Sequence, residues 1–300
     1  MGQRPLTLLE VLERAEAFLR QHGCEPPRLD AQLLLAHVLE CDRVRLYLDY
    51  AKPLADAERA AYRELIRRRA NREPVAYLTG RREFWSLPLR SDRRALIPRP
   101  DSETLVEQAR ALFGDPGPAR FADVGTGSGC LAAALAHAFP RARGWAVDAD
   151  AEALALAREN LQALGLDERV ATACGDLDEP LGEPRFDLLC ANLPYVPSGE
   201  LDALQPEVSR YEPRRALDGG RDGLDLLRRF VPRAAARLEP AGWLLLEVGR
   251  AQADAVAELC RGAGLAAIGR CRDLGGVERV VYAQRVNPAA EPAPPPAASG

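Results

Sequence analysis

Residues 186–196 read Phe-Asp-Leu-Leu-Cys-Ala-Asn-Leu-Pro-Tyr-Val, an apolar run that ends abruptly in a side-chain amide, a proline and an aromatic ring. Asn192 carries both a carbonyl acceptor and an NH2 donor, and Tyr195 a flat π face with a hydroxyl. At the carboxyl end of a buried strand, such a set can hold a planar nitrogen in place. Upstream, Phe121-Ala122-Asp123-Val124 runs into Gly125, Thr126, Gly127, Ser128 and Gly129, then into the apolar, helix-like stretch 131–138. Glycines at alternate positions after a strand let the backbone turn tightly and approach a ligand. Each feature has a plainer use as well: an Asn-x-Pro turn with an aromatic capping the core, and a structural strand-to-helix turn.

The loop departs from the dinucleotide fingerprint Gly-x-Gly-x-x-Gly, because Cys130 occupies the last slot, and it points instead to S-adenosylmethionine (SAM). About twenty residues further on, Trp145-Ala146-Val147 ends in Asp148, whose two oxygens can take both hydroxyls of a ribose. The competing use for Asp148 or Asp150 is to cap the helix expected over 151–161. A third strand-like run closes on Cys174-Gly175, leaving Asp176 and Leu177 to line an adenine pocket.

The elements that must position these residues alternate. Strand-like runs at 121–124, 144–147, 170–174, 186–191 and 243–248 are separated by helical stretches, which predicts a parallel, doubly wound α/β sheet. Runs at 265–270 and 279–285 are too close together for a helical crossover, so the last strand is expected to be antiparallel, making seven. Ahead of the sheet, Thr7 and Glu10 form a capping box before helically spaced apolar residues, and further helices are expected over 29–39, 44–48 and 56–69. Apolar runs at 84–89 and 95–98 around a polar 90–94 read as a hairpin. The expected organisation is a helical bundle over 1–75, a hairpin linker over 76–100, a SAM-binding catalytic domain over 101–286 and a disordered Pro/Ala tail over 287–300.

With 300 residues, 47% hydrophobic and 28% charged, the chain can bury a core and is not disordered throughout. A net charge of -4 argues against general nucleic-acid binding, which relies on phosphate neutralisation. Residues 1–90 hold 16 Lys+Arg against 13 Asp+Glu, so the smaller domain is the more basic. The longest strongly apolar run, 131–139, is far shorter than the roughly 20 residues a membrane helix needs. No secretory segment opens the chain, so a cytoplasmic protein is expected. Seven cysteines without a Cys-x-x-Cys pair and three histidines favour reduced thiols over disulfides or zinc, and no metal is expected.

These residues resemble the release-factor glutamine methyltransferases, the PrmC/HemK family, over roughly positions 6–285. The likeness rests on the glycine loop and Asn-x-Pro-Tyr, with 28–35, 73–80, 83–89, 96–104, 211–217 and 272–276; Ile97-Pro98-Arg99-Pro100-Asp101 is the most specific. It implies a class I SAM-dependent methyltransferase fold and methylation of the side-chain amide of the glutamine in the Gly-Gly-Gln motif of peptide release factors. It also implies that Asn192 and the main-chain carbonyl of Leu193 accept the amide N-H bonds beside Pro194, while Tyr195 packs on the amide. The helical domain becomes a partner platform, with Arg67, Arg68, Arg69, Arg72, Arg81 and Arg82 available to an acidic surface, although a solvated face or internal salt bridges is the stronger expectation. Leu193 stands where the family usually has proline. If only its carbonyl matters, Leu193→Pro should hold or raise activity. The rivals are an adenine amino-methyltransferase acting on DNA or RNA, disfavoured by the acidity of residues 91–300, and a SAM-binding regulatory module without turnover.

Overall fold

Thr7 opens the first helix as the capping box predicts: its hydroxyl accepts from the Glu10 N-H at 3.3 Å and the Glu10 carboxylate accepts from the Thr7 N-H at 2.8 Å. The structure is a computed structural model that describes residues 6–182 and 185–286; the tail expected over 287–300 lies outside the described residues. It divides into two units, one running to Arg81 and including Gln205–Tyr211, the other formed by Arg82–Leu204 and the chain from Glu212 onward.

The first unit holds α1 (Leu8–Gln21), α2 (Pro27–Val38), α3 (Arg43–Leu48), α4 (Asp56–Ala70) and α5 (Val75–Thr79). Leu8, Leu12 and Leu19 of α1 bury against Leu34 and Leu35 of α2 and Tyr62 and Ile66 of α4. The Tyr62 hydroxyl donates to Ala31 O at 2.9 Å, so the one polar atom on that ring is satisfied.

The hairpin is shifted from its expected place. Its strands are β1 (Arg81–Phe84) and β2 (Leu87–Arg90), joined through Trp85 and Ser86 at φ +53° and +59°. That is the left-handed pair a two-residue hairpin turn requires, here without glycine or asparagine. Residues 95–98, expected as the return strand, pair with no strand among the described residues, and the Ile97 N-H goes to the Glu212 carboxylate at 3.0 Å. Positions 76–79, expected in the linker, belong to α5.

Then follow α6 (Glu103–Phe113), β3 (Arg120–Val124), α7 (Cys130–Ala138), β4 (Arg143–Asp148), α8 (Ala151–Ala163), β5 (Val170–Cys174), β6 (Phe186–Ala191), α9 (Pro206–Tyr211), α10 (Asp225–Arg237), β7 (Leu238–Glu247), α11 (Ala253–Gly262), β8 (Leu265–Arg272) and β9 (Glu278–Arg285). Strands β3 to β9 form one seven-stranded sheet in the order β5-β4-β3-β6-β7-β9-β8. All pairings are parallel except those of β9 with β7 and β8. The expected doubly wound sheet is therefore present. Residues 131–136 of α7 are all buried, as a helix packed on a sheet and covered by neighbours requires.

The register brings the motifs to one edge. Val124 pairs with both Val147 and Ala191, and Asp148 with Cys174, so the chain leaves β3, β4, β5 and β6 at the same level. Strand order reverses between β3 and β6, and ligands in open α/β sheets bind outside the carboxyl ends at such a switch point.

Although α9 follows β6 in the chain, it belongs to the first unit. Glu207 forms an ion pair with Arg69 at 2.8 Å and accepts from Arg72 at 2.6 and 2.7 Å, and the Tyr211 hydroxyl donates to Asn71 O at 2.8 Å. Arg69 also meets Asp30 at 2.7 Å, both buried, while Arg67 pairs with Glu64 and Arg68 with Glu73. Four arginines of the basic run thus already hold carboxylates.

Candidate active site

At the switch point, the Gly125 and Thr126 N-H groups donate to Val147 O at 2.8 and 2.9 Å, folding the loop back over the end of β4. Gly125 has φ +77°, and a Cβ there would lie 2.9 Å from Leu193 Cδ2, so the loops after β3 and β6 touch where only hydrogen fits. Gly129, at φ +78°, would meet Ala157 at 3.0 Å; its role is close packing of α7 on α8.

Beneath the loop lies Asp123, fully buried. Its Oδ2 accepts from Thr126 Oγ1 at 2.6 Å and from the Ala132 N-H at 3.1 Å, tying the loop to the first turn of α7. Burial pushes its carboxyl up to about 7 from an ordinary 3.8, against the pull of those two donors. The folded state therefore holds this proton more tightly than the unfolded chain, and the stability Asp123 contributes falls as pH rises through 7. Asp123→Asn keeps an oxygen for both donors and does not titrate. Its denaturant midpoint relative to the parent should rise between about pH 5 and about pH 8, and a difference independent of pH would contradict this assignment.

A cavity of about 450 Å³ opens beside the loop, within the size range of small-molecule sites. Gly125, Thr126, Gly127, Ser128, Asp148, Asp176, Leu177, Asn192, Leu193 and Pro194 all line it; Gly129 and Tyr195 do not. Asp148 is not the helix cap, because Asp150 caps α8 by accepting from the Glu152 N-H at 2.9 Å. The Asp148 carboxylate instead accepts from the N-H groups of Gly127 at 2.8 Å and Asp150 at 2.9 Å, and burial raises its pKa above the usual carboxylate range. Asp176 lines the cavity while its carboxylate pairs with Arg229. Leu177 is buried at φ +52°.

Asn192 Nδ2 donates to Ser102 Oγ at 3.1 Å, and Ser102 Oγ donates to Glu247 Oε2 at 2.5 Å; Asn192 and Ser102 both line the cavity. Tyr195 OH donates to the other oxygen, Glu247 Oε1, at 3.2 Å. Glu247 is 1% exposed, and burial pushes its carboxyl up to about 7. The Leu193 side chain is buried in the sheet core, so this position is not asked for its carbonyl alone. Leu193→Pro should consequently cost about 1–2 kcal/mol of stability, part of a Leu-to-Ala loss, with little change in kcat. Thermal melting beside steady-state kinetics checks it, and an unchanged melting temperature would contradict the packing role.

Several lining or supporting residues carried no assigned role in the sequence. Ser102 and 95–98 lie in or near the Ile-Pro-Arg-Pro-Asp motif, which was informative only as a resemblance. Glu212 accepts from the Ile97 N-H at 3.0 Å and from the Arg99 guanidinium at 2.5 Å, securing that strip along the cavity wall.

The donor set fits SAM: a half-buried carboxylate lining the cavity at Asp148, a glycine loop that admits no side chain at Gly125, and volume for a nucleoside-sized ligand. Comparison with known proteins agrees. Residues 10–80 match the PrmC N-terminal domain and residues 102–205 the methyltransferase small domain. The release factor glutamine methyltransferase of Geobacter sulfurreducens is 44% identical over 92% of this chain and 95% of that one. The protein of the same name from Moorella thermoacetica is 43% identical over 86% and 91%. A methyltransferase structure from Pyrococcus furiosus shares the fold with a TM-score of 0.50 at 18% identity, covering 67% of this chain and 89% of that one. With its cavity, its seven-stranded sheet and its near full-length relatives, this chain belongs to the release factor glutamine methyltransferase family.

Proposed function

We propose that the chain methylates the side-chain amide nitrogen of the glutamine in the Gly-Gly-Gln motif of peptide release factors, and that Asn192 is the residue that holds this amide. When bound, SAM supplies the electrophilic methyl group. An amide nitrogen shares its lone pair with its carbonyl, so rate depends on holding it in line. Asn192 Oδ1 and the Leu193 main-chain carbonyl accept its two N-H bonds and favour positive charge developing on nitrogen. Asp148 takes the ribose hydroxyls, with Asp176 and Leu177 beside the base. The methylated amide loses its proton to water, so no strong general base is needed.

The observation that carries this reading is the Asn192 amide itself: it lines the same cavity as Asp148, and its NH2 is engaged by Ser102, which leaves Oδ1 as the free acceptor. Tyr195, outside the cavity lining and bonded to Glu247, supports the site from behind in this reading. The helical unit is the proposed recognition element. A protein partner is favoured over a nucleic acid by the arginines of α10: Arg228, Arg229, Arg233 and Arg237 each meet a carboxylate. Among the described residues no helix is long and apolar enough to cross a membrane, and a cytoplasmic location follows from the proposed substrate. Radiolabelled methyl transfer from SAM to a purified release factor, compared with one whose motif reads Gly-Gly-Ala, tests the proposal. Equal labelling of both would overturn it.

A further inference from the structure

Glu247, at the end of β7, and Ser102, just before α6, stand 145 residues apart in sequence and meet at the cavity wall, which Ser102 lines. Ser102 Oγ has one proton and gives it to Glu247, so its lone pair can only accept, and the partner it accepts from is the NH2 of Asn192. The direction of each bond follows from the one before it. Above about pH 7, where Glu247 is ionised, a carboxylate at the end of the chain dictates which face of the Asn192 amide turns toward the cavity. The same carboxylate takes the Tyr195 hydroxyl on its second oxygen, bracing the two ends of Asn192–Tyr195 from a single buried group.

We propose that Glu247 is a positioning residue for methyl transfer, acting through Ser102 to set the amide orientation of Asn192 so that its oxygen, rather than its NH2, faces the substrate. This rests on the reading of Asn192 as the acceptor for the substrate amide. A flipped Asn192 would set its NH2 against the NH2 of the incoming glutamine, two donors with no acceptor between them. Neither Glu247 nor Ser102 needs to touch the reacting atoms to control the rate.

The chain of bonds predicts a rescue that ordinary structural damage would not. In Ser102→Ala the Asn192 amide is released, and kcat should fall about tenfold with KM and SAM affinity within about twofold. In Glu247→Met a side chain of similar length removes the acceptor, so the Ser102 proton turns to Asn192 Oδ1 and holds the wrong orientation; kcat should fall about 100-fold. Adding Ser102→Ala to Glu247→Met removes that wrong hold and should restore kcat to the Ser102→Ala level. A double variant no faster than Glu247→Met overturns the inference, as does Ser102→Ala at parental kcat. Should Glu247→Met not fold, Ser102→Ala in an Asn192→Ala background decides: a further loss of less than about twofold supports action through Asn192, and a full tenfold loss overturns it. Asn192→Ala run alongside separates the two levels. If it turns over normally, the reading of Asn192 fails and the inference with it; if it is slow while Ser102→Ala is not, the positioning inference alone fails.

Discussion

Asn192→Ala is expected to lower kcat by at least about 100-fold while SAM affinity changes by less than about threefold, the scale for losing one preorganised polar group at the reacting centre. The separation follows from where Asn192 sits. It leaves β6 at the switch point and lines the cavity, yet the described bonds of its side chain run to Ser102 and not to the glycine loop or Asp148. In the proposed reading, removing it takes an acceptor from the substrate amide while leaving the bonds of the glycine loop and Asp148 in place. Single-turnover transfer, measured beside a SAM titration, resolves the two effects. A variant with near-normal turnover would leave Asn192 as a turn residue and the proposed chemistry without its holder.

The second large effect is on binding. Asp148→Ala should weaken SAM by about 1–3 kcal/mol, the range for hydrogen bonds to a charged group and for donors left unsatisfied in a buried site. Two backbone N-H groups, of Gly127 and Asp150, lose their acceptor as well, so part of the loss comes through the loop itself. Asp148→Asn keeps one acceptor for the Gly127 N-H and should fall between the parent and the alanine variant. Calorimetric titration of the three proteins orders them, and equal affinities would contradict the ribose assignment.

What the sequence revealed and what it hid have separate physical causes. The edge of the sheet is legible because each of the strands β3 to β6 is a largely apolar run that stops at a residue of different character: Gly125, Asp148, Gly175 or Asn192. Two-sided burial makes such runs easy to find. The hairpin was misplaced because its turn uses Trp85 and Ser86 at positive φ, with neither glycine nor asparagine to mark it. The family resemblance supplied the motif around Ser102 but no role, since its partners Asn192 and Glu247 come from the far ends of other strands. The return of α9 to the helical unit was equally hidden. Arg72 and Glu207 are 135 residues apart, and no periodicity in either segment announces a pairing at that range. Leu193 shows a further limit: the resemblance drew attention to its carbonyl, whereas its side chain is a core residue packed at the loop of Gly125.

The central claim is tested most directly by tandem mass spectrometry of the Gly-Gly-Gln peptide from a purified release factor incubated with this protein and SAM. The account predicts one added methyl group, located on the glutamine side-chain amide, absent without SAM and strongly reduced with Asn192→Ala. An unmodified glutamine in the presence of the folded, SAM-binding enzyme, or a methyl group carried by any other residue of that peptide, would contradict it.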